Sequence, residues 1–210
     1  MSTKEELLNS VANKSDEIKL ENFEKIVKNP EFDAETRKNA FLAMVDIYIK
    51  KMWWNNVAKA YNNAADLAKT FSEKQDLFFK SGTYYVRADD YFTAEDTFRK
   101  SIVLAPKKDR ISILNKVYEV YINLAKEYEN RRMQTKAIAV YNKSLTLNLP
   151  LEKANEIRER MAVLYEKIGK PREATWIRQQ KATATEQTKK KLMPEDKDDD
   201  EPEFYAQDLI

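Results

Sequence analysis

The chain has 210 residues, of which 42% are hydrophobic and 34% charged, with a formal net charge of +2; that suits one sizeable domain or one solenoid with a heavily charged surface. It contains no cysteine and no histidine, which excludes disulfides and thiolate zinc sites and removes the commonest general base and metal ligand. Gly82 and Gly169 are its two glycines, too few for a phosphate-cradling loop or a dinucleotide fingerprint and a poor basis for tight β-hairpins.

Residues 1–10 carry Lys4 with no apolar stretch behind it, and no apolar run approaches the ~18 residues of a membrane span. Neither a secretory leader nor a span is expected, and the absence of cysteine fits a reducing, cytoplasmic setting. Thr3 and Glu6 have the spacing of a capping box, followed by an apolar stripe of Leu7, Leu8 and Val11. Ser15 can cap a second helix whose stripe reads Ile18, Phe23, Ile26 and Val27, with Leu20 off to one side. Asn29-Pro30 ends it, because proline cannot extend the bonding ladder.

From Ala34 onward, paired amphipathic segments of ~12–18 residues alternate with short polar breaks. In the segment 75–108 the landmarks are Phe78, Ser81, Gly82, Tyr85, Tyr91, Ala94, Phe98, Ser101 and Pro106. Two antiparallel helices approach closely only where facing residues are small, which Gly82 and Ala94 provide. Tyr85 and Phe98 fill the space a turn away, Ser101 admits the next unit's helix, and Pro106 stops the second helix.

Similar slots recur. Phe41, Val45, Tyr48, Trp54, Val57, Tyr61 and Ala64 mark a unit on 38–71. Tyr121, Leu124, Ala125, Tyr128, Ala137, Tyr141 and Ser144 mark one on 118–151, with Pro150 one place late. Met161, Ala162, Tyr165, Gly169, Pro171 and Ala174 mark a fourth from 155. The small-residue slots Val57, Ala94, Ala137 and Ala174 are separated by 37, 43 and 37 residues.

This pattern resembles the 34-residue tetratricopeptide repeat over roughly 38–181, and both glycines fall on positions of that family. Val57 departs from the usual alanine, and Arg158 and Arg178 stand where a bulky apolar residue and an aromatic are usual, which suits a terminal unit facing water. A narrower resemblance, over 54–69 (WNNVAKAYNNAADLAK), is to the SNAP adaptors of vesicle fusion.

The resemblance implies an all-α, tetratricopeptide-like α-solenoid of antiparallel helix pairs wound as a right-handed superhelix. The expected organisation is an N-terminal helical cap or degenerate half-repeat over 1–33, four helix pairs over 34–182, a polar helical extension over 183–192, and an acidic disordered tail over 193–210. That tail holds eight acids against Lys197, a formal −7, which leaves the other 192 residues at +9.

In this family the first helix of each unit lines a concave groove. The corresponding inner slots are Asn39, Leu42 and Asp46; Asp76, Phe79 and Thr83; Glu119, Ile122 and Lys126; and Glu156, Glu159 and Val163. Leu42, Phe79 and Ile122 are expected to form an apolar strip where a protein partner's peptide or helix docks, unless a neighbouring helix covers them. The family's Lys/Asn clamp for chaperone tails is not present, because Leu42 and Asp46 occupy its first positions. Phe204, Tyr205, Leu209 and Ile210 give the tail the acidic-apolar composition of a docking segment; binding a partner, folding back and simple solubilisation all stay open.

The function implied is an adaptor or scaffold binding a protein partner. The alternative is a nucleic-acid-associated factor using a basic body, with the tail as competitor. Basic clusters at Lys50-Lys51, Lys107-Lys108-Arg110, Arg131-Arg132 and Lys189-Lys190-Lys191 bear on that alternative. Tyr48, Tyr61, Tyr85, Phe98, Tyr128, Tyr141 and Tyr165 are expected to be core, and Trp53 more exposed than Trp54. The carboxylate pairs Asp89-Asp90 and Glu127/Glu129 converge on no nucleophile, so no catalytic residue, cofactor or metal is expected. Self-association through Trp53 or the open ends of the array stays open.

Overall fold

The computed structural model describes residues 3–147 and 149–180, and every regular element among them is helical. The helices are α1 (Lys4–Ser10), α2 (Asp16–Lys28), α3 (Ala34–Lys50), α4 (Trp54–Leu67), α5 (Phe71–Arg87), α6 (Tyr91–Leu104), α7 (Arg110–Asn130), α8 (Gln134–Ser144), α9 (Leu151–Lys167) and α10 (171–180), with a 3-10 turn at Lys107–Asp109 before α7. The fold is an all-α, tetratricopeptide-like helical repeat. The extension over 183–192, the acidic tail and the cluster Lys189-Lys190-Lys191 lie outside the described residues, as do Phe204, Tyr205, Leu209 and Ile210.

Local chemistry sets the boundaries. Thr3 and Glu6 form the capping box of α1, and Ser15, Asp33, Thr70 and Asp90 cap α2, α3, α5 and α6 through side-chain oxygens. α2 ends at Lys28, before Asn29-Pro30, and α6 ends at Leu104, two residues before Pro106.

Among the described residues one joint is built four times. The carbonyls of Tyr48, Tyr85, Tyr128 and Tyr165 accept from the N–H groups of Trp53, Asp90, Met133 and Lys170 at 2.9, 3.0, 2.8 and 2.8 Å. The residue before each donor sits in the left-handed region: Met52 (φ 57°), Asp89 (61°), Arg132 (56°) and Gly169 (75°). This is the Schellman arrangement, in which a left-handed residue lets two backbone N–H groups fold back on the last helical carbonyls. Each donor residue also begins the partner helix, as its carbonyl accepts from Val57, Ala94, Ala137 or Ala174. Those four residues are the small slots of the sequence pattern, all at most 1% exposed.

The unequal spacing has a simple anatomy. Of the six extra residues in the middle interval, four lengthen α7 (21 residues against 17 in α5) and two lengthen the connection before it (105–109 against 68–70). The joints themselves do not change length.

The chain divides into two compact units, Met1–Val120 and Tyr121–Ile210. In the first, Phe23, Ala40, Met44, Val45, Tyr48 and Val57 anchor a cluster shared by α1 to α4, and Ala64, Ala65, Ala68, Leu77 and Phe78 form a second one between α4 and α5. Gly82 faces Phe98: a Cβ there would stand 2.7 Å from the ring. Ser81 donates to the Ala58 carbonyl at 2.8 Å and Ser101 to the Gln75 carbonyl at 2.9 Å. Ser101 therefore also ties α6 to α5, its own partner. In the second unit Tyr121, Tyr141, Ile157, Met161, Ala162 and Ala174 are buried.

One stripe differs from expectation. Leu20 packs against the first cluster, whereas Ile18 is 47% exposed. Leu20 lies three residues before the buried Phe23 and shares its helical face; Ile18 lies five before it and turns away.

Candidate partner-binding faces

In the first unit the proposed inner slots fall on α3, α5 and the start of α7. Asp46, Asp76 and Glu119 are exposed, and Asn39, Leu42, Phe79 and Thr83 are half-buried. Leu42 leans on the cluster of Ala64, Ala65 and Ala68, and Phe79 tilts against Phe98 with ring centroids 5.5 Å apart. Thr83 donates its hydroxyl to the Phe79 carbonyl at 2.9 Å. Asp46 is engaged: Lys4 Nζ of α1 lies 2.8 Å from its carboxylate.

In the second unit Lys126, Glu156 and Val163 are exposed, and Glu159 is half-buried. Glu156 pairs with Arg160 at 3.5 Å. Arg178 spans two helices, its Nε 3.1 Å from Glu159 and its terminal nitrogen 2.5 Å from Glu166. The arginine that replaces the expected aromatic thus joins α10 to α9 by charge; hydrogen bonding to Glu166 and Glu159 raises its pKa. Ile122 is 6% exposed and belongs to the core. Ile122 is therefore not an exposed member of the expected apolar strip, and Leu42 and Phe79 are half-buried. Ile122 leaves water for its neighbours, which lowers the free energy by ~25 cal/mol per Å² covered, whereas Val163 stays 39% exposed and Asp46, Asp76, Glu119 and Glu156 stay outside.

Two groupings escaped sequence reasoning. Lys38, 4% exposed, is held by Glu35 at 2.7 Å and by Glu73 of α5. Burial opposes its charge, but hydrogen bonds to Glu35 and Glu73 outweigh that and raise its pKa. The only signal was an i,i+3 Glu-Lys pair, common on exposed helix faces.

The second grouping is a ladder on α4 and α5. Arg87 lies 5.2 Å over Trp54, Trp54 stacks on Tyr84 at 6.1 Å, Tyr84 on Tyr61 at 5.7 Å, and Lys80 sits 5.9 Å from the Tyr61 ring. Burial, with the neighbouring Tyr84 and Asp46, pushes the Tyr61 hydroxyl up to about 12. Trp53 is 47% exposed, lies 6.0 Å from Tyr48 and carries Lys51 over its ring at 5.2 Å. Of the aromatics expected in the core, Tyr48, Tyr85, Phe98, Tyr128 and Tyr141 are buried, and Tyr61 and Tyr165 are half-buried.

No protein-family model and no curated protein matches this chain. Among solved structures it is similar to the crystal structure of MamA, at 18% identity over 91% of this chain and 98% of that one, with a TM-score of 0.37. It is also similar to the crystal structure of BtubC (BKLC) from P. vanneervenii, at 11% identity over 94% of this chain and 84% of that one, with a TM-score of 0.36. With both TM-scores under 0.5, neither superposition adds to what the helix pairs themselves display.

Proposed function

We propose that this chain is a non-catalytic scaffold or adaptor that binds a protein partner on the faces of its first helices, the side that lines the groove in tetratricopeptide arrays. The observation that carries this is the chemistry of the open slots: exposed acids at Asp46 and Asp76 on successive first helices, above half-buried Leu42 and Phe79. Such a surface suits a helix or extended peptide that sets cations over an apolar seam. Asp46 already holds a lysine in this way. An adaptor role is also what the resemblance over 54–69 implies. The acidic tail would be a second docking element. The faces of Trp54, Tyr61 and Tyr84 are taken by one another and by Arg87 and Lys80, so that ladder lends nothing to a base-stacking reading.

Affinity capture from a native lysate tests this, comparing the full chain, a 1–192 truncation and the double variant Asp76→Lys/Glu119→Lys, at low and high salt and with nuclease. Discrete proteins retained through nuclease and lost from the double variant are expected. Loss from the truncation alone would move the docking to the tail. Nucleic acid released by salt, with no protein retained, would reject the scaffold reading.

A further inference from the structure

Helix α1 has seven residues, well below the ~12–15 at which an isolated helix persists in water. Its helicity is owed to the capping box and to the surface beneath it, and that surface is chiefly α3. Four positions make the attachment: Lys4, Leu7, Leu8 and Val11, spaced i, i+3, i+4 and i+7. Lys4 reaches Asp46 at 2.8 Å, Leu7 and Val11 are 8% and 5% exposed, and Leu8 packs partly buried against the same cluster. This is the anchor spacing of an amphipathic helix laid into a groove. At the far end of α1, an open cleft of ≈ 400 Å³ lined by Val11, Lys14, Ile26 and the 40%-exposed Phe32 separates it from α2.

We propose that the α3 surface beneath α1 is a helix-docking site of which α1 is the resident occupant. A partner helix presenting a basic residue, with apolar residues three, four and seven positions further on, binds there by displacing α1. This rests on the reading of the first-helix faces given above and specifies the partner's chemistry. The Lys4–Asp46 pair, 37% and 56% exposed, holds weakly; what an incoming helix must replace is the burial of Leu7, Leu8 and Val11, and its apolar residues at the same spacing do so. A longer helix also gains the apolar rim of the cleft, which α1 leaves uncovered.

The test uses the full chain and a synthetic peptide of residues 2–14, followed by nuclear magnetic resonance. In a full-chain variant with α1 disabled (Leu7→Asp/Val11→Asp) the peptide is expected to perturb α3 around Asp46 with at least ~10-fold higher affinity than in wild type, where the tethered α1 occupies the site. Adding Asp46→Lys to that variant should abolish binding, and a peptide carrying Lys4→Glu should restore it. Absence of binding to a folded variant, or equal affinity for both chains, overturns the proposal.

Should the variant fail to fold, hydrogen exchange on wild type decides. Amides of α1 are expected to exchange through local opening at least ~100-fold faster than those of α3, and equal protection overturns the proposal. Success here with failure of the Asp76/Glu119 capture would reject the wider face and keep the α1 site. The reverse would keep the face and remove α1 as its occupant.

Discussion

At Gly82 there is no room for a side chain. A methyl group would meet the buried Phe98 ring at 2.7 Å, and Phe98, 2% exposed, has nowhere to retreat. Gly82→Ala should therefore destabilise by about 1–2 kcal/mol, overpacking outweighing the better helix propensity of alanine. Gly82→Leu should leave no cooperative urea transition, and Gly82→Ala/Phe98→Leu should recover most of the loss. An unchanged midpoint for Gly82→Ala would refute the contact.

The left-handed joint residues behave oppositely. Met52 and Arg132 hold a conformation that costs an L-residue ~1–2 kcal/mol. Changing either to glycine should raise stability by about 0.5–1 kcal/mol, once the flexibility glycine adds to the unfolded chain is deducted. Asp89→Gly should gain less, because aspartate tolerates this region better. Gly169→Ala should lose about 1 kcal/mol although nothing lies within 4 Å of the new methyl, since its φ of +75° is the obstacle. Equal midpoints across the series would contradict the joint geometry.

Between elements, the ion triad of Lys38, Glu35 and Glu73 fixes where α3 meets α5. Glu73→Gln should cost about 1–2 kcal/mol, less than the 3–5 typical of a fully buried pair, because Glu73 is itself 35% exposed and Glu35 remains. Adding Lys38→Met should recover most of that, as the buried charge then disappears with its partner; a double variant no better than the single one would show that the triad does more than satisfy Lys38.

The elements show why some features could be read from sequence and others not. Caps, joints and small-residue slots depend on residues close in the chain, so Thr3/Glu6, Ser15, Pro106 and the recurrence of Val57, Ala94, Ala137 and Ala174 were legible. The burial of Ile122 was not. Whether an apolar side chain on a repeat slot faces water depends on how neighbouring helices close over it, and a slot number carries no such information. The Lys38 triad was hidden for the same reason, since Glu73 is distant in sequence. Of the candidate faces, the acids Asp46, Asp76 and Glu119 lie where the pattern put them, at the surface.

For the molecule as a whole, the missing histidine and cysteine set the response to pH. The chain has neither of the side chains whose ordinary values lie between those of carboxylates and tyrosines, so the melting temperature should vary by less than about 2 °C from pH 6 to 9. Burial raises the hydroxyls of Tyr48, Tyr61, Tyr85 and Tyr141, the last reinforced by its bond to Glu129, and the carboxylates raise Lys38. Each holds its proton more tightly folded than unfolded. The stability they lend is complete below their unfolded values near 10 and drains away as pH climbs through the folded ones, about 12 for Tyr61.

On the acid side, Lys51 draws Glu17 down to about 2, and Glu21, Asp33 and Glu166 are also lowered. Their contribution is complete above ordinary carboxylate values and fades as pH falls through the lowered ones. These groups lie at the surface, so salt should blunt the acid limb far more than the alkaline one. A thermal melt series across pH at two ionic strengths checks both limbs, and a slope between pH 6 and 9 would contradict the account.

The fourfold joint also bears on how such a chain can be lengthened or shortened by recombination. Its hydrogen bonds run between backbone groups, so any two joints are interchangeable halves whatever side chains they carry. A crossover falling at Met52 and Asp89 would excise α4 and α5 and rejoin α3 to α6 through an intact junction. A crossover of equal length placed mid-helix keeps the slots in phase but fuses halves of two helices whose packing side chains differ, such as Val45 and Gly82. The tyrosine-to-donor segments are therefore the natural seams for duplication and loss, while the outer connections and the length of α7 are free to drift.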